Sequence, residues 1–269
     1  MPARTSPTNS VQKACRILRT LSTPNKGRLT EIATATCINK ATALRILEIL
    51  AQEGYVRRDG ATKTWSLGEE AYVIAASLTR PDDVRGQFRA PLVRLAAKTG
   101  DSVLLSIRSG MDAVCVDREV GEFPIRASYL DVGSRRPLGV GAGSLALLAW
   151  ASDTEIAAIL PLIRPRLARY PKLSIRLIEQ EIERSRKRGF TVVLDLLVDR
   201  MGAVGVPVLG ANGEPIAALS IAALSDRISS RLDQMVFWLQ EEAELFALPA
   251  RTETKGTRVR GVRKKRVAA

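Results

Sequence analysis

The chain has 269 residues, of which 41 are Lys or Arg, 28 are Asp or Glu and none is His, so its formal net charge is +13. A hydrophobic content of 46% is typical of a globular protein and not of a disordered polycation. Without His, Ser-His-Asp and Cys-His catalysis and the HExxH zinc site are excluded. The three cysteines, Cys15, Cys37 and Cys115, are far apart and form no CxxC pair, so neither a zinc site nor a disulfide-stapled secreted fold is expected. We therefore expect no metal and no other cofactor.

The excess positive charge lies at the two ends of the chain. Residues 1–68 carry a net charge of +7, residues 69–248 carry −1, and residues 249–269 carry +7. A basic end on a neutral body indicates a polyanionic partner, most simply double-stranded DNA, although charge that only solvates the surface is the alternative. The segment 249–269 has no apolar periodicity and clusters four basic residues at 263–266, which predicts a disordered arm. Such an arm either adds phosphate contacts or is a solvated tail without a role.

No membrane association is expected from the sequence. The apolar runs are shorter than the ~18–20 residues that span a bilayer. The first ten residues lack the apolar core of a signal peptide, and the basic tail lacks the apolar face of a membrane anchor. We therefore expect a cytoplasmic protein with no membrane partner.

Apolar spacing predicts three helices near the start of the chain. The first runs from about residue 10 to a break at Pro24. Thr30 is expected to cap a short second helix, with Glu31 favourably placed in its first turn. Asn39 is expected to cap a third helix over residues 40–52.

A β-hairpin is predicted directly after the third helix. Its arms are residues 55–56 and 65–67, its turn lies at Asp59-Gly60, and its polar tip offers Arg57, Arg58 and Lys63. Three helices followed by a hairpin are typical of a winged helix-turn-helix, whose third helix enters the major groove of DNA. The alternative is a three-helix cap with a solvated polar face. The predicted DNA contacts are Arg28, Thr30, Lys40, Ala41, Thr42, Arg45, Arg57, Arg58 and Lys63.

The rest of the chain predicts a second, mixed domain. A connecting helix is expected over 69–80, and Pro81-Asp82-Asp83 marks a boundary. Helices are then expected over 84–98, from about 143 to 151, over 153–160, 174–188 and 226–246, and strands over 101–109, 112–117, 124–129, 191–196, 203–209 and 215–222. Because these do not alternate strictly, an α+β fold with an antiparallel sheet is favoured.

Several stretches in a fixed order carry a family resemblance. SVQKACRIL is similar to an opening helix, LTEIATATCINKATALRILEIL to a helix-turn-helix, and EGYVRRD with WSLG to a wing. GSRRPL, RKRGF and PIAALSIAA are similar to parts of an effector domain. Together they resemble the IclR family of bacterial transcriptional regulators over residues 10–240, with Lys40, Thr42 and Arg45 at the usual recognition positions.

The resemblance implies a particular domain organisation. Residues 1–9 are loose, 10–68 form the winged helix-turn-helix, 69–81 a linker helix, 82–248 a GAF-like domain for effector binding and oligomerisation, and 249–269 a disordered tail. Family members act as dimers or tetramers on palindromic operators and repress or activate transcription.

Departures from the family pattern bear on the effector. Gly139 stands where a His is usual, an acidic position falls on Val193, and a family Cys falls on Ala203. Backbone amides matching Ala142 and Gly143 hold the anion in carboxylate-binding members, as a helix N-terminus can. The resemblance implies effector contacts from Leu138, Val140, Ala142, Gly143, Ser144, Val193, Asp195, Ala203, Ser220 and Ala222.

This set implies a pocket less polar than in carboxylate binders. We expect an aromatic or acyl organic acid as effector; a pocket that has lost its ligand is the alternative. Cys115 is expected to be a core residue and not a ligand contact.

Three classes of function follow from these expectations. The favoured one is a ligand-responsive transcription factor, in which effector binding shifts the populated dimer or tetramer geometry. The second is an architectural DNA-binding protein with a vestigial pocket, driven by charge alone. The third, an enzyme, has the least support, because no close acid/base pair, GxxxxGK[ST] loop or GxSxG elbow is present.

Overall fold

The computed structural model describes residues 9–23, 27–77, 84–125 and 130–245. The predicted boundary at Pro81-Asp82-Asp83 and the predicted tail lie outside these residues. Within the described ranges no helix combines the length and apolar character that crossing a bilayer requires. The elements are α1 (Ser10–Leu21), α2 (Leu29–Thr36), α3 (Lys40–Gln52), β1 (Val56–Arg58), β2 (Trp65–Leu67), α4 (Glu69–Ser77), α5 (Val84–Thr99), β3 (Ser102–Ser109), β4 (Asp112–Glu119), β5 (Arg135–Pro137), α6 (Ala142–Ala149), α7 (Asp153–Ile163), a 3-10 helix (Arg164–Arg169), α8 (Ile175–Arg188), β6 (Thr191–Leu194), β7 (Met201–Leu209), β8 (Pro215–Leu224), α9 (Ser225–Ser230) and α10 (Leu232–Glu244).

The first three helices and the β1–β2 hairpin enclose one apolar core. Ile17, Ile32 and Leu47 are fully buried in it, and Trp65 of the hairpin closes it. The Asn39 side chain accepts a hydrogen bond from the Thr42 amide at 2.8 Å, so α3 begins where its cap predicts. The three predicted helices and the hairpin are confirmed.

The start of α2 differs from the prediction. The helix begins at Leu29, so Thr30 lies inside its first turn and does not cap it. The cap comes from Glu31, whose carboxylate accepts a hydrogen bond from the Arg28 amide at 2.9 Å. A Glu at the third helical position can accept from the amide of the N-cap residue, which is one half of a capping box.

The remaining strands form one six-stranded antiparallel sheet in the order β5-β4-β3-β8-β7-β6. Helices α6, α7 and α8 cover one face over an apolar core. Helices α5 and α10 cover the other face, with Phe88, Leu92 and Met235 buried beneath them. This is the α+β fold with an antiparallel sheet that the sequence predicts.

Three elements of this domain differ from the prediction. Strand β5 has only three residues and was not predicted. Pro124 and Ile125 form a bend, and the rest of the strand predicted over 124–129 lies outside the described residues. The helix predicted over 226–246 is divided at Arg231 into α9 and α10.

A buried carboxylate lies beside that break. The side chain of Asp101 is only 1% exposed and accepts two hydrogen bonds from Arg227, at 2.9 and 3.0 Å. Arg231 lies 3.9 Å from the same carboxylate and donates to the Thr99 carbonyl at 2.9 Å. Because a buried charge requires partners, both arginines are held at the end of α5.

Candidate functional site

The start of α3 presents polar and small side chains to solvent. Lys40, Ala41 and Arg45 are exposed and Thr42 is half-buried. The opposite face carries buried Ala43, Ile46 and Leu47, which pack on the helical core. Burial of that face leaves the predicted recognition residues pointing away from the protein, as a helix that enters the major groove requires.

The hairpin places its basic residues differently from the prediction. Arg57 and Arg58 lie on strand β1 and not at the tip. Arg57 donates to the Ser66 hydroxyl at 3.2 Å and lies 3.5 Å from Glu69, while the Arg58 guanidinium lies 5.5 Å from the centre of the Trp65 ring. Lys63 alone of the three lies in the turn, where its φ is +58°.

The turn of the hairpin is closed by Asp59. Its carboxylate accepts hydrogen bonds from the amides of Thr62 and Ala61 at 2.6 and 2.9 Å and from the Thr62 hydroxyl. These bonds, those from Thr62 first, lower the pKa of Asp59. The exposed Arg28 and Thr30 lie at the start of α2, so none of the predicted DNA contacts is buried.

A cavity lies between the first turn of α6 and the sheet beneath it. The cavity is partly open to solvent and leaves about 40 Å³ for the centre of a water-sized sphere. All six strands of the sheet contribute lining residues, and most of these are alternate residues, which point to the same side of a strand. The lining residues are Leu104, Ser106, Ala113, Cys115, Leu130, Ser134, Arg136, Val140, Gly141, Ala142, Gly143, Ser144, Val193, Leu197, Val198, Met201, Gly202, Ala203, Ser220 and Ala222.

Eight of the ten residues that the resemblance placed in the effector site line this cavity, namely Val140, Ala142, Gly143, Ser144, Val193, Ala203, Ser220 and Ala222. Leu138 does not, because it is fully buried in the core covered by α6, α7 and α8. Asp195 does not either, because its carboxylate turns away and accepts a hydrogen bond from the Ser225 hydroxyl at 2.8 Å. Neither of these two predicted residues therefore lines the cavity.

Other cavity residues were missed in the sequence. Arg136 lies on β5, a strand too short to produce a period-two pattern, and its only signal was its proximity to Leu138. Cys115 is 3% exposed, as a core residue would be, but it also lines the cavity. Burial raises the pKa of the Cys115 thiol to about 12.

The structure explains why no imidazole is accommodated at position 139. Gly139 has a φ of +86°, which disfavours any residue with a side chain. A Cβ at this position would lie 3.0 Å from a methyl carbon of Ile178 and 3.3 Å from one of Leu148. The departure from the family pattern is therefore built into the packing of α6 against α8.

One wall of the cavity also contacts the helix-turn-helix unit. Leu130 and Ser134 line the cavity, and between them Gly133 packs against the end of α1. Gly133 has a φ of +86°, and a Cβ there would overlap the carbonyl oxygen of Ser22. Segment 130–134 thus touches both the cavity and α1.

Two arginines lie near this contact. Arg135 lies next in the chain, and burial lowers the pKa of its guanidinium. The like charge of Arg19 on α1 adds to that shift. The cavity wall and α1 therefore meet at a tightly packed, positively charged contact.

Comparisons with known proteins agree with this arrangement. A family model described as "IclR helix-turn-helix domain" matches residues 10–60, and one described as "Bacterial transcriptional regulator IclR C-terminal" matches residues 76–245. The Transcriptional repressor IclR of Escherichia coli is 24% identical over 236 residues, which cover 84% of this chain and 83% of the relative.

Solved structures are similar over nearly the whole length. An IclR transcriptional regulator from Alicyclobacillus acidocaldarius is 26% identical and superposes with a TM-score of 0.71 over 87% of this chain and 95% of that one. An IclR homologue from Microbacterium hydrocarbonoxydans complexed with 4-hydroxybenzoate is 17% identical, with a TM-score of 0.70 over 88% and 96% of the two chains.

The second family model alone spans more than half of the chain. Relatives in this family are transcriptional regulators that bind DNA through the helix-turn-helix, and effector binding by the C-terminal domain is general to them. They are not enzymes. The chain therefore belongs to the IclR family of bacterial transcriptional regulators.

Proposed function

We propose that this protein binds a palindromic or pseudo-palindromic operator as a dimer or tetramer, and that a small apolar organic acid in the cavity shifts its affinity for DNA. The observation that carries the proposal is the position of segment 130–134, which lines the cavity and packs on α1 of the helix-turn-helix unit. Residues 10–68 would read DNA, 69–81 would link, and 82–248 would bind effector and oligomerise, in the cytoplasm.

The DNA-reading part of the proposal depends on α3 and the wing. Exposed Lys40 and Arg45 would reach phosphate or base edges, and the small Ala41 would allow a close approach. Arg28, Thr30 and Thr42 at helix starts and Arg57, Arg58 and Lys63 on the wing would add backbone contacts. The net +7 of residues 1–68 supports binding to a polyanion.

An exposed apolar helix supports the oligomer. None of the α4 side chains in the described residues is buried, and Tyr72, Val73 and Ile74 are 76%, 54% and 46% exposed. Adjacent apolar side chains on one helix are shielded from water most simply by a second copy. A two-fold dimer would present two α3 helices to half-sites about one DNA turn apart.

The effector class is inferred from the cavity wall. Most of its side chains are aliphatic, and Val193 and Ala203 stand where more polar family residues fall. The 4-hydroxybenzoate complex of the Microbacterium homologue supports an aromatic acid, although that similarity establishes the fold alone. Effector binding would shift the populations of the oligomer's conformations. An effector changes DNA affinity only if it favours one arrangement of the helix-turn-helix units.

Footprinting on DNA upstream of the protein's own coding region and its neighbours tests the proposal. We expect one protected palindromic site that survives competitor DNA, with a specificity ratio on the order of 10³ or more. Aromatic and acyl acids should shift the protection midpoint, while sugars and amino acids should not.

The alternative is an architectural DNA-binding protein with a vestigial cavity. Its support is the basic segment 249–269, which adds a net +7 that requires no recognition helix. It predicts salt-sensitive binding to any duplex and no response to the panel of acids. Binding that competitor DNA abolishes would therefore favour it over the proposed regulator.

A further inference from the structure

Arg136 lies on the cavity wall. It is the middle residue of β5 and pairs with Ala113 of β4, another cavity residue. Of the described residues that line the cavity, Arg136 alone carries a charge. Its Nη1 atom lies 3.3 Å from the point where a Cβ of Gly141 would be, so the guanidinium lies beside the first turn of α6.

That turn of α6 has no side-chain cap. Gly141 is the N-cap residue and has no side chain, and the first helical hydrogen bond runs from the Leu145 amide to the Gly141 carbonyl. The amides of residues 142–144 therefore precede the helical hydrogen-bond ladder. They carry the partial positive charge of the helix N-terminus on the same side as the guanidinium.

Two buried serine hydroxyls lie on the other side of this turn. Ser220 and Ser106 are only 6% and 8% exposed, and their oxygens lie 3.1 and 3.6 Å from the Cβ position of Gly143. Both residues line the cavity, and neither hydroxyl makes a hydrogen bond within the described part of the chain. Both hydroxyls can therefore donate a hydrogen bond to a ligand in the cavity or accept one from it.

The part of the sheet that lines the cavity is polar at one end and apolar at the other. Ser220 pairs across the ladder with Leu104 and Gly205, and the absent side chain of Gly205 lets α6 approach at Ala142. Two residues further along β8, on the same face of the sheet, Ala222 pairs with Ala203, and Ala203 pairs with Val193 of β6. A ligand that fills the cavity would therefore meet donors at the α6 end and alkyl side chains beyond it.

We propose that Arg136 is the residue that makes the cavity select an anionic effector, by binding the carboxylate of a ligand whose apolar body lies over Ala203 and Ala222. The inference rests on the proposed function and identifies the group in the site that recognises the acid. A planar guanidinium can donate two parallel hydrogen bonds to a carboxylate, and the Ser106 and Ser220 hydroxyls and α6 amides can satisfy its remaining lone pairs. No carboxylate side chain lines the cavity in the described ranges, so none opposes the anion there.

The test compares matched pairs of acid and amide on the full-length protein. Benzoate with benzamide, 4-hydroxybenzoate with 4-hydroxybenzamide, and hexanoate with hexanamide differ in charge but hardly in shape. Calorimetry measures each Kd for the wild type, Arg136→Met, Arg136→Lys and Arg135→Met. Arg135→Met is the matched control, because it removes the same charge from the same strand and its guanidinium donates to Ser109 at 3.2 Å.

The wild type should bind at least one acid ~10-fold or more tighter than its amide, since a hydrogen bond to a charged group contributes about 1.5–3 kcal/mol. Arg136→Met should abolish this preference by weakening the acid alone, Arg136→Lys should keep part of it, and Arg135→Met all of it. Should Arg136→Met fail to fold, the comparison of Arg136→Lys with Arg135→Met carries the test.

An acid preference that survives in Arg136→Met, or an equal loss for acid and amide, would overturn the assignment to Arg136. Wild-type binding of amides as tight as acids would overturn it too, while leaving an apolar effector in place. Binding of neither acids nor amides would refute the apolar effector of the proposed function, and the role of Arg136 with it.

Discussion

Replacing Gly133 with Ala should loosen the contact between the cavity wall and α1. The residue is the third of the turn 131–134, closed by a hydrogen bond from the Ser134 amide to the Asp131 carbonyl at 2.9 Å. Its φ of +86° costs any residue with a Cβ about 1–2 kcal/mol. The added Cβ would also overlap the Ser22 carbonyl oxygen, so the two segments must separate. A gap of about 0.5–1 Å already removes a quarter to a half of each dispersion contact.

Gly110→Ala separates the backbone cost from the overlap. Gly110 has a φ of +63°, and nothing lies within 4 Å of its Cβ position. Both variants should therefore lose about 1–2 kcal/mol of unfolding free energy through the backbone alone. Only Gly133→Ala should lose protection at α1.

Hydrogen exchange by mass spectrometry on peptides covering residues 16–23 measures the difference. The amides of Ser22 and Thr23, bonded to the Leu18 and Thr20 carbonyls at 3.1 Å, lie at this contact. A local loss of about 1 kcal/mol accelerates exchange about fivefold. In operator titrations, the ratio of Kd with and without effector should move toward 1 in Gly133→Ala and stay at the wild-type value in Gly110→Ala. Equal exchange and equal effector response in the two variants would refute the coupling route.

Three further predictions concern the DNA-binding surface, the tail and the buried thiol. Arg45→Ala should cost ~1–3 kcal/mol of operator-binding free energy in fluorescence anisotropy and relax specificity at one position. Arg57→Ala should cost less binding free energy, because Arg57 already contacts Ser66 and Glu69. Equal losses in the two variants would contradict the recognition role of α3. Truncation after Pro249 should weaken binding to all duplexes alike and flatten its salt dependence, and a loss restricted to the operator, or loss of the dimer, would contradict a phosphate-binding arm. At pH 8 a thiol reagent should modify the exposed Cys15 and Cys37 in the native protein and Cys115 only in denaturant, since burial raises the pKa of Cys115 to about 12. Because an unfolded thiol ionises near pH ~8.5, the stability contributed by the neutral Cys115 is complete below that pH and falls between ~8.5 and 12. Urea midpoints should therefore drop more steeply over this pH range in the wild type than in Cys115→Ala. Fast labelling of a third thiol in the native protein would show that Cys115 is accessible.

Local signals accounted for most of the fold. The cap at Asn39, the apolar stripe of α3 and the polar turn at Asp59 each depend on residues within one or two turns of each other, so their elements were predicted to within a few positions. The antiparallel character of the sheet followed from the order of elements. One error lies at Arg231, where two helices replace the single one that local periodicity predicts over 226–246.

The site, too, was predicted only in part from the sequence. Eight cavity residues were reached through the family resemblance, but Leu138 and Asp195 show that membership of a motif does not determine which way a side chain points. Arg136 and Cys115 joined the cavity only because β5, β4 and α6 meet in space.

The sequence by itself determined a basic, DNA-reading N-terminal domain, a neutral α+β domain and the absence of imidazole. It could do so because charge and periodicity are properties of the chain. Only the tertiary structure decided that one arginine lies in the cavity and that Gly133 joins its wall to α1. The contact of Gly133 joins residues more than a hundred positions apart, and the place of Arg136 depends on its pairing with an adjacent strand. No local sequence pattern encodes either contact.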